Sequence, residues 1–393
     1  MLLADICARA PNLHTLTLHI PKRDIDMTSH AQVIAQNLQH LRKIVLPEFY
    51  YTSDVIQELS HMKNLGVIEF GHDLSVGNGN PMNVDCFDPI LAEGSFPALW
   101  DLSLTAGIDD VERFFRKEFA PANITTLYLN SYKKHTPSEV HSLLLALSHE
   151  CQLLFRLHII LLDKEFTLSE IPSDEQISFD TLQPLFLFPH LTWFELLHKY
   201  PLRITLDEVE ELASRWPSVE TLELNSEPLY AREFPLDLRA LFPFAKHCHK
   251  LEYLGIFISA TGFEVPRANT IIQPFRALQT LNVGTSRLVN PVAVATFLSL
   301  LFPPWCTLQW GITWSSCGTE EHRQLNPDIE TEISDQAAAW EEMSKLLPFL
   351  AEVRRDGRER MHAFQEEVKE LRTQNLLLMD KTSIRAEDSC VIV

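Results

Sequence analysis

The feature that most constrains this chain is a short apolar phrase that recurs along most of its length. It reads apolar, two variable residues, apolar, one variable residue, apolar. Copies stand at Leu13/Leu16/Leu18, Leu41/Ile44/Leu46, Leu65/Ile68/Phe70, Leu99/Leu102/Leu104 and Ile124/Leu127/Leu129. Others stand at Leu154/Leu157/Ile159, Leu191/Phe194/Leu196, Val219/Leu222/Leu224, Leu251/Leu254/Ile256 and Leu278/Leu281/Val283, with a weaker one at Trp305/Leu308/Trp310. They begin about 29 residues apart on average, a period typical of stacked repeats.

The period-2 tail of each copy predicts a short strand. Several intervening segments predict helices. Residues 205–216 open with Thr205, carry Asp207 and Glu208 in the first turn, and place Leu206, Val209, Leu212 and Ala213 on one face before Pro217 stops them. Residues 136–147, 52–59 and 292–301 follow the same plan. One strand–turn–helix–turn unit cannot bury both its elements, but stacked units can. A length of 393 residues would also allow two or three separate domains. An ordinary α/β sheet would show the same alternation, but so many copies of one phrase favour a single array. The expected fold is therefore α/β: a solenoid of about ten to eleven irregular repeats over residues 1–317, with parallel strands on one side and helices on the other.

Composition narrows the function. Apolar residues make up 46% of the chain and charged ones 22%, which excludes whole-chain disorder. A net charge of −20 excludes nucleic acid and anionic membranes as general partners. Seven cysteines without paired spacing, and no leader-like start, place the chain in a reducing compartment, cytoplasmic or nuclear. The most apolar stretch, residues 292–302, is about half the ~20 residues a membrane helix needs. No Gly-rich Lys-Ser/Thr loop, Gly-x-Ser-x-Gly or His-Glu-x-x-His occurs, so the expectation is a non-enzymatic protein with no catalytic residues and no cofactor. His247-Cys248-His249 falls in a helical stretch, 238–250, where neighbours point about 100° apart and cannot share a metal. Cys306 and Cys317 lie too far apart for Cys-x-x-Cys, so no metal site is expected. Asp109-Asp110 and Glu210-Glu211 suit helix dipoles and solvation.

If the leucines of each phrase point inward, the residues between them face the other way. That face presents aromatic residues and one basic spot beside an acid. The candidate partner-binding residues are Tyr128, Asn130, Arg156, His158, Trp193, Glu195, Glu223, Tyr253 and Phe257, since aromatic and arginine side chains are the usual interface anchors. Beyond the repeats, residues 318–335 read as an acidic linker with Ser334 as a helix cap. Residues 336–380 read as a capping helix, with Ala337, Trp340, Leu346, Leu347, Leu350 and Val353 at helical spacing and Pro348 as a kink. A heptad-like series follows at Met361, Phe364, Val368, Leu371, Asn375 and Leu378, open to two readings: self-association, or a solvated amphipathic extension. Residues 381–393 read as a disordered tail. It ends Cys390-Val391-Ile392-Val393, which makes Cys390 a candidate for lipidation, although Val393 and the acidic Glu387-Asp388 disfavour it.

Over about residues 10–315 the phrase resembles the leucine-rich-repeat superfamily. The regular family has Asn or Cys three positions after the last leucine. Here those positions hold Pro21, Phe49, Asp73, Gly107, Tyr132, Leu162, Lys199, Glu227, Ser259 and Ser286. The repeats are thus irregular, and the long spacings Leu65 to Leu99 and Leu154 to Leu191 are expected to hold loops, one at Gly77-Asn78-Gly79-Asn80-Pro81. Lead-ins such as Ala10-Pro11-Asn12-Leu13, Phe96-Pro97-Ala98-Leu99, Phe188-Pro189-His190-Leu191 and Trp216-Pro217-Ser218-Val219 resemble the repeat half of fungal F-box proteins. That resemblance implies a right-handed horseshoe with a concave strand face that binds a protein target. It also implies the substrate-recognition part of a ubiquitin-ligase receptor. The chain shows no F-box. Residues 2–10 already read as a repeat helix, so an F-box and its Skp-type adaptor are expected only upstream of Met1. The alternative is a leucine-rich-repeat scaffold or regulator independent of any F-box.

Overall fold

Every copy of the phrase becomes a strand of one sheet. The computed structural model describes residues 2–20, 26–71, 79–162, 175–228, 236–261, 273–312 and 327–387. The strands are β1 (Thr15–Thr17), β2 (Lys43–Leu46), β3 (Val67–Phe70), β4 (Asp101–Thr105), β5 (Thr126–Ser131), β6 (Arg156–Leu161), β7 (Trp193–His198), β8 (Thr221–Leu224), β9 (Tyr253–Ile256), β10 (Ser259–Ala260), β11 (Thr280–Asn282), β12 (Arg287–Leu288) and β13 (Thr307–Gln309). Eleven of them form a single sheet in chain order, with only β10 and β12 set aside as a separate parallel pair. Every neighbouring pair in the large sheet is parallel. Sequential order with parallel pairing requires each strand to return by a crossover, which the intervening helices supply. This arrangement fits the expected leucine-rich-repeat solenoid. The weak eleventh phrase is a true repeat: Leu308 lies in register with Leu281.

The register explains the phrase. Its central anchors align from strand to strand as Leu16, Ile44, Ile68, Leu102, Leu127, Leu157, Phe194, Leu222, Leu254, Leu281 and Leu308. All but Leu308 are buried. They share one continuous core with the apolar faces of the helices. The helices are α1 (Leu2–Arg9), α2 (Thr28–Asn37), α3 (Ser53–Leu59), α4 (Ile108–Phe115), α5 (Pro137–Glu150), α6 (Phe179–Leu182), α7 (Leu206–Arg215), α8 (Leu241–His247), α9 (Pro291–Leu301) and α10 (Pro327–Glu387). Successive helices lie against one another, α1 on α2, α2 on α3, α4 on α5 and α7 on α8. Their starts are set by local chemistry. Thr136 and Thr205 each accept from the backbone three residues on while Glu139 and Glu208 reach back, a reciprocal cap at α5 and α7. Thr52 caps α3 and Asn290 caps α9.

The C-terminal boundaries differ from expectation. Residues 327–335, read as part of the acidic linker 318–335, are the start of α10; residues 318–326 lie outside the described residues. The described part of the helix begins at Pro327, so Ser334 lies inside it. Residues 381–387 are helical too, while the rest of the expected tail, with Cys390, lies outside the described residues. Pro348 leaves the carbonyl of Ser344 without its helical partner, yet α10 runs on as one element. Its first part caps the array on α9. Trp340 and Met343 are wholly buried and Leu347 nearly so. The Trp340 indole donates to the Ser286 carbonyl at 2.8 Å, and the Gln336 side chain accepts from Leu288 N at 2.9 Å. No helix among the described residues is long and apolar enough to cross a membrane.

The cap therefore belongs to the core. Trp340→Ala should destabilise the chain by about 3–5 kcal/mol, as large-to-small core changes do. Urea denaturation measures this, and a loss below about 1 kcal/mol would show that the cap is not part of the cooperative unit.

Candidate functional site

The inward anchors leave two rows of side chains on the face turned away from the helices. One row runs Lys43, Val67, Asp101, Thr126, Arg156, Trp193, Thr221, Tyr253, Thr280, Thr307. The other runs Ser103, Tyr128, His158, Glu195, Glu223, Gly255, Asn282. Five of the expected site residues come together on β5–β7. Arg156, exposed, stacks its guanidinium over Trp193 at 4.4 Å from the ring centre. The Trp193 indole N–H donates to Glu195 Oε1. Glu195 Oε2 lies 3.0 Å from His158 Nδ1, and the His158 ring lies 4.6 Å from Tyr128. Tyr128 in turn meets the edge of Phe70 at 5.6 Å.

Each partner fixes the next. Glu195 holds both the indole and the imidazole, so Trp193 is a rigid platform under Arg156. Among the described residues the Arg156 guanidinium has no hydrogen-bond or ion-pair partner. It therefore presents a fork of N–H donors that matches a carboxylate or phosphate on another molecule. The neighbouring acids are arranged around it. Lys43 and Glu69 pair at 2.5 Å, and Asp101 is raised to about 6 by burial and by Glu69, against Lys43 and Arg156.

The other expected site residues have different places. Phe257 is 4% exposed and lines a small apolar cavity with Leu202, Ile204, Val209, Leu224, Leu236 and Ile256, so it is buried and not part of the exposed strand face. It lies past the end of β9, where strand alternation no longer decides its side. Asn130 is buried too. It donates to Glu48 and to the Tyr132 hydroxyl, and Glu48 also accepts from Tyr132 and Thr105. Burial raises Glu48 to about 7 despite those donors. Glu223 is 3% exposed and Tyr253 partly so. Glu223 accepts from Ser226 N at 2.6 Å and from the Tyr253 hydroxyl at 3.0 Å, while Asn282 joins Tyr253, Ser226 and Glu227.

Gly255 makes this second network possible. A Cβ there would lie 1.7 Å from Glu223 Oε2, so only glycine leaves room for the carboxyl to fold over the strand. The sequence signal was a glycine inside a strand phrase, a mark of close approach. Two further buried groups escaped sequence reading. Glu175 sits between Lys134 at 2.5 Å and Lys199 at 3.1 Å. His198 is pushed down to about 3 by burial and by His135, which keeps it neutral. For Glu48 a signal existed, one acid beside the apolar run Phe49-Tyr50-Tyr51.

The sites set aside from sequence resolve as follows. α8 ends at His247 and Cys248 lies beyond it, so the neighbour-angle argument does not cover this cluster. Instead Cys248 is buried, His249 exposed, and His247 bonds to Glu210 at 2.7 Å. Among the described residues no group of three or more His, Cys, Asp or Glu could hold a metal. Asp110, expected to be solvated, is buried and held by Arg113 and Lys133. Burial pushes the Cys151 and Cys248 thiols up to about 12, which keeps both protonated and unreactive. Cys317 lies outside the described residues.

No protein-family model and no curated protein matches the sequence. A solved structure similar to the chain is the crystal structure of the Rad7 and Elc1 complex in yeast, at 16% identity and a TM-score of 0.43, covering 83% of this chain and 75% of that one. The repeat fold described above rests on this chain's own strand register and not on that likeness.

Burial raises Glu223 to about 8, with Glu227 adding to the rise and bonds from Ser226 and Tyr253 opposing it. A folded-state value above the unfolded one means the folded chain keeps a proton that the unfolded chain releases. The stability this lends is full below about pH 4.5 and is lost as pH rises through about 8. Glu223→Gln, a neutral isostere, should therefore melt a few degrees above the wild type at about pH 9, with the gap closing near pH 5. Melting curves at both pH values check this, and a gap that does not change with pH would contradict it.

Proposed function

We propose that this chain is a non-enzymatic recognition module that binds a protein target on the strand face, centred on Arg156 and Trp193. The observation that carries the reading is the exposed Arg156 guanidinium, without a hydrogen-bond or ion-pair partner among the described residues, held on a Trp193 platform that Glu195 has already fixed. Such an arrangement supplies both features of an interface hot spot: a rigid aromatic surface and a forked cation with little entropy left to lose. In an otherwise acidic protein it also suits a target segment bearing a carboxylate or other anionic group. Tyr128 and His158 extend the platform along the second row.

By its resemblance to the repeat half of fungal F-box proteins, the module would choose the target of a ubiquitin ligase, with a separate enzyme supplying the chemistry. In that setting a Skp-type adaptor would dock an F-box encoded upstream. The second reading is a scaffold or regulator with the same strand face and no ligase. It is favoured by the charge and repeat pattern alone, which need no adaptor. Both readings place the protein in the cytoplasm or nucleus.

Affinity purification from cells, followed by quantitative mass spectrometry, tests the reading. Arg156→Ala and Trp193→Ala should each reduce recovery of a shared set of proteins at least tenfold, a loss of about 1.4 kcal/mol or more, while leaving the fold intact. Equal recovery by wild type and variants would contradict the assigned face. Tyr253→Ala is a poorer probe, because it also strips a bond from the buried Glu223. Recovery of a Skp-type adaptor with the full-length gene product separates the ligase reading from the scaffold reading.

A further inference from the structure

α10 carries two different halves on one seam. Trp340, Met343, Leu347, Leu350 and Arg354 recur at spacings of three and four, and this half faces the array: Trp340, Met343 and Leu347 are buried and Arg354 donates to the Thr296 carbonyl at 3.2 Å. The same spacing continues through Gly357 to Met361, Phe364, Val368, Leu371 and Asn375. Among the described residues nothing covers it. Every residue from 359 to 378 is exposed, and Met361, Phe364, Val368 and Leu371 show 59%, 62%, 45% and 56% of their surface. The seam breaks only at Arg354 and Gly357, where the helix leaves the repeats. The charged stretch around it is tied within the helix, Arg355 reaching Glu352, Asp356 and Glu359.

We infer that the second half of α10 is a dimerisation helix whose occupant is the same helix of a second copy, parallel and in register. Three features select that occupant. The apolar stripe repeats every seven residues, the period that interlocks with itself and winds two helices together. Met361, Val368 and Asn375 then occupy equivalent positions, and asparagine there pairs with its own copy across a two-fold axis in a parallel pair. Glu367 and Arg372 fall on the two flanks of the stripe, five residues apart, which sets the glutamate of one copy opposite the arginine of the other. The seam is also continuous with one the chain already buries on α9, so the helix is presented pre-formed and pays little ordering entropy on pairing. The repeats and their strand face stay outside the contact, and the protein would bring two recognition faces together.

Light scattering on the full chain during size exclusion, at concentrations of tens of micromolar, tests this. The wild type should show twice the 45.1 kDa chain mass, and Phe364→Glu with Leu371→Glu should return it to one. Both positions are exposed, so the variant keeps its fold, and circular dichroism verifies that. A single-chain mass for the wild type, or a dimer that survives the double substitution, would overturn the proposal. The register has its own readout. Val368→Cys should form a disulfide-linked dimer under mild oxidation at a level the wild type, with its native cysteines, does not reach. Absence of that cross-link in a dimeric protein would overturn the parallel, in-register arrangement.

Discussion

One backbone carbonyl per repeat ties each strand to the next. The His14 carbonyl accepts from both Arg42 N and Lys43 N, and the Arg42 carbonyl from Gly66 N and Val67 N. The same double acceptance recurs at Gly66, Trp100, Thr125, Phe155, Thr192, Glu220 and Glu252, always one step before the strand begins. Regular leucine-rich repeats add a side-chain ladder of asparagines at a fixed position. Here that position holds Phe49, Gly107, Tyr132, Lys199 or Glu227, and no such ladder can form. The register is held by the backbone and the buried anchors together. A slip of one residue would turn every leucine to the outer face.

The loss of the side-chain ladder shapes the polar interior. Several strand ends are closed instead by polar side chains drawn mostly from different repeats: Glu48 with Tyr132 and Asn130, Glu175 with Lys199, Glu223 with Ser226 and Tyr253. Glu48 and Glu223 titrate above their ordinary range because burial outweighs their hydrogen bonds, whereas Lys134 and Lys199 hold Glu175 below it. With Glu223 raised to about 8, its carboxyl is largely protonated at neutral pH. On the outer face, β5 to β7 carry a cation stacked on an aromatic ring and without an ion-pair partner among the described residues.

Much of the repeat architecture was legible because the phrase encodes it twice, in apolar spacing and in strand length. Thr136 and Thr205 also announced their helices by capping chemistry that depends only on neighbours. The face of the sheet was legible wherever strand alternation held, which is why Arg156, His158, Trp193 and Glu195 share one face. It failed at strand ends. Phe257 lies one residue past β9 and is buried, and Asn130 lies where Glu48, far away in sequence, folds over it. Buried partners such as Glu175 for Lys199 join different repeats and leave no local mark. The part of the acidic linker that is described, 327–335, is helical and was not legible as such, because acids inside a helix look the same in sequence as acids in a loop.

The account depends on the repeats forming one continuous stack, because the strand face, the buried networks and the cap on α9 all follow from it. Amide hydrogen exchange tests this most directly, through the N–H groups that meet the shared carbonyls, from Lys43, Val67 and Asp101 through Arg156 and Trp193 to Tyr253 and Thr280. Slow exchange at all of them, lost together as denaturant is added, is the predicted result. Fast exchange at an interior block of these amides, or two blocks that open separately, would contradict a single stacked sheet.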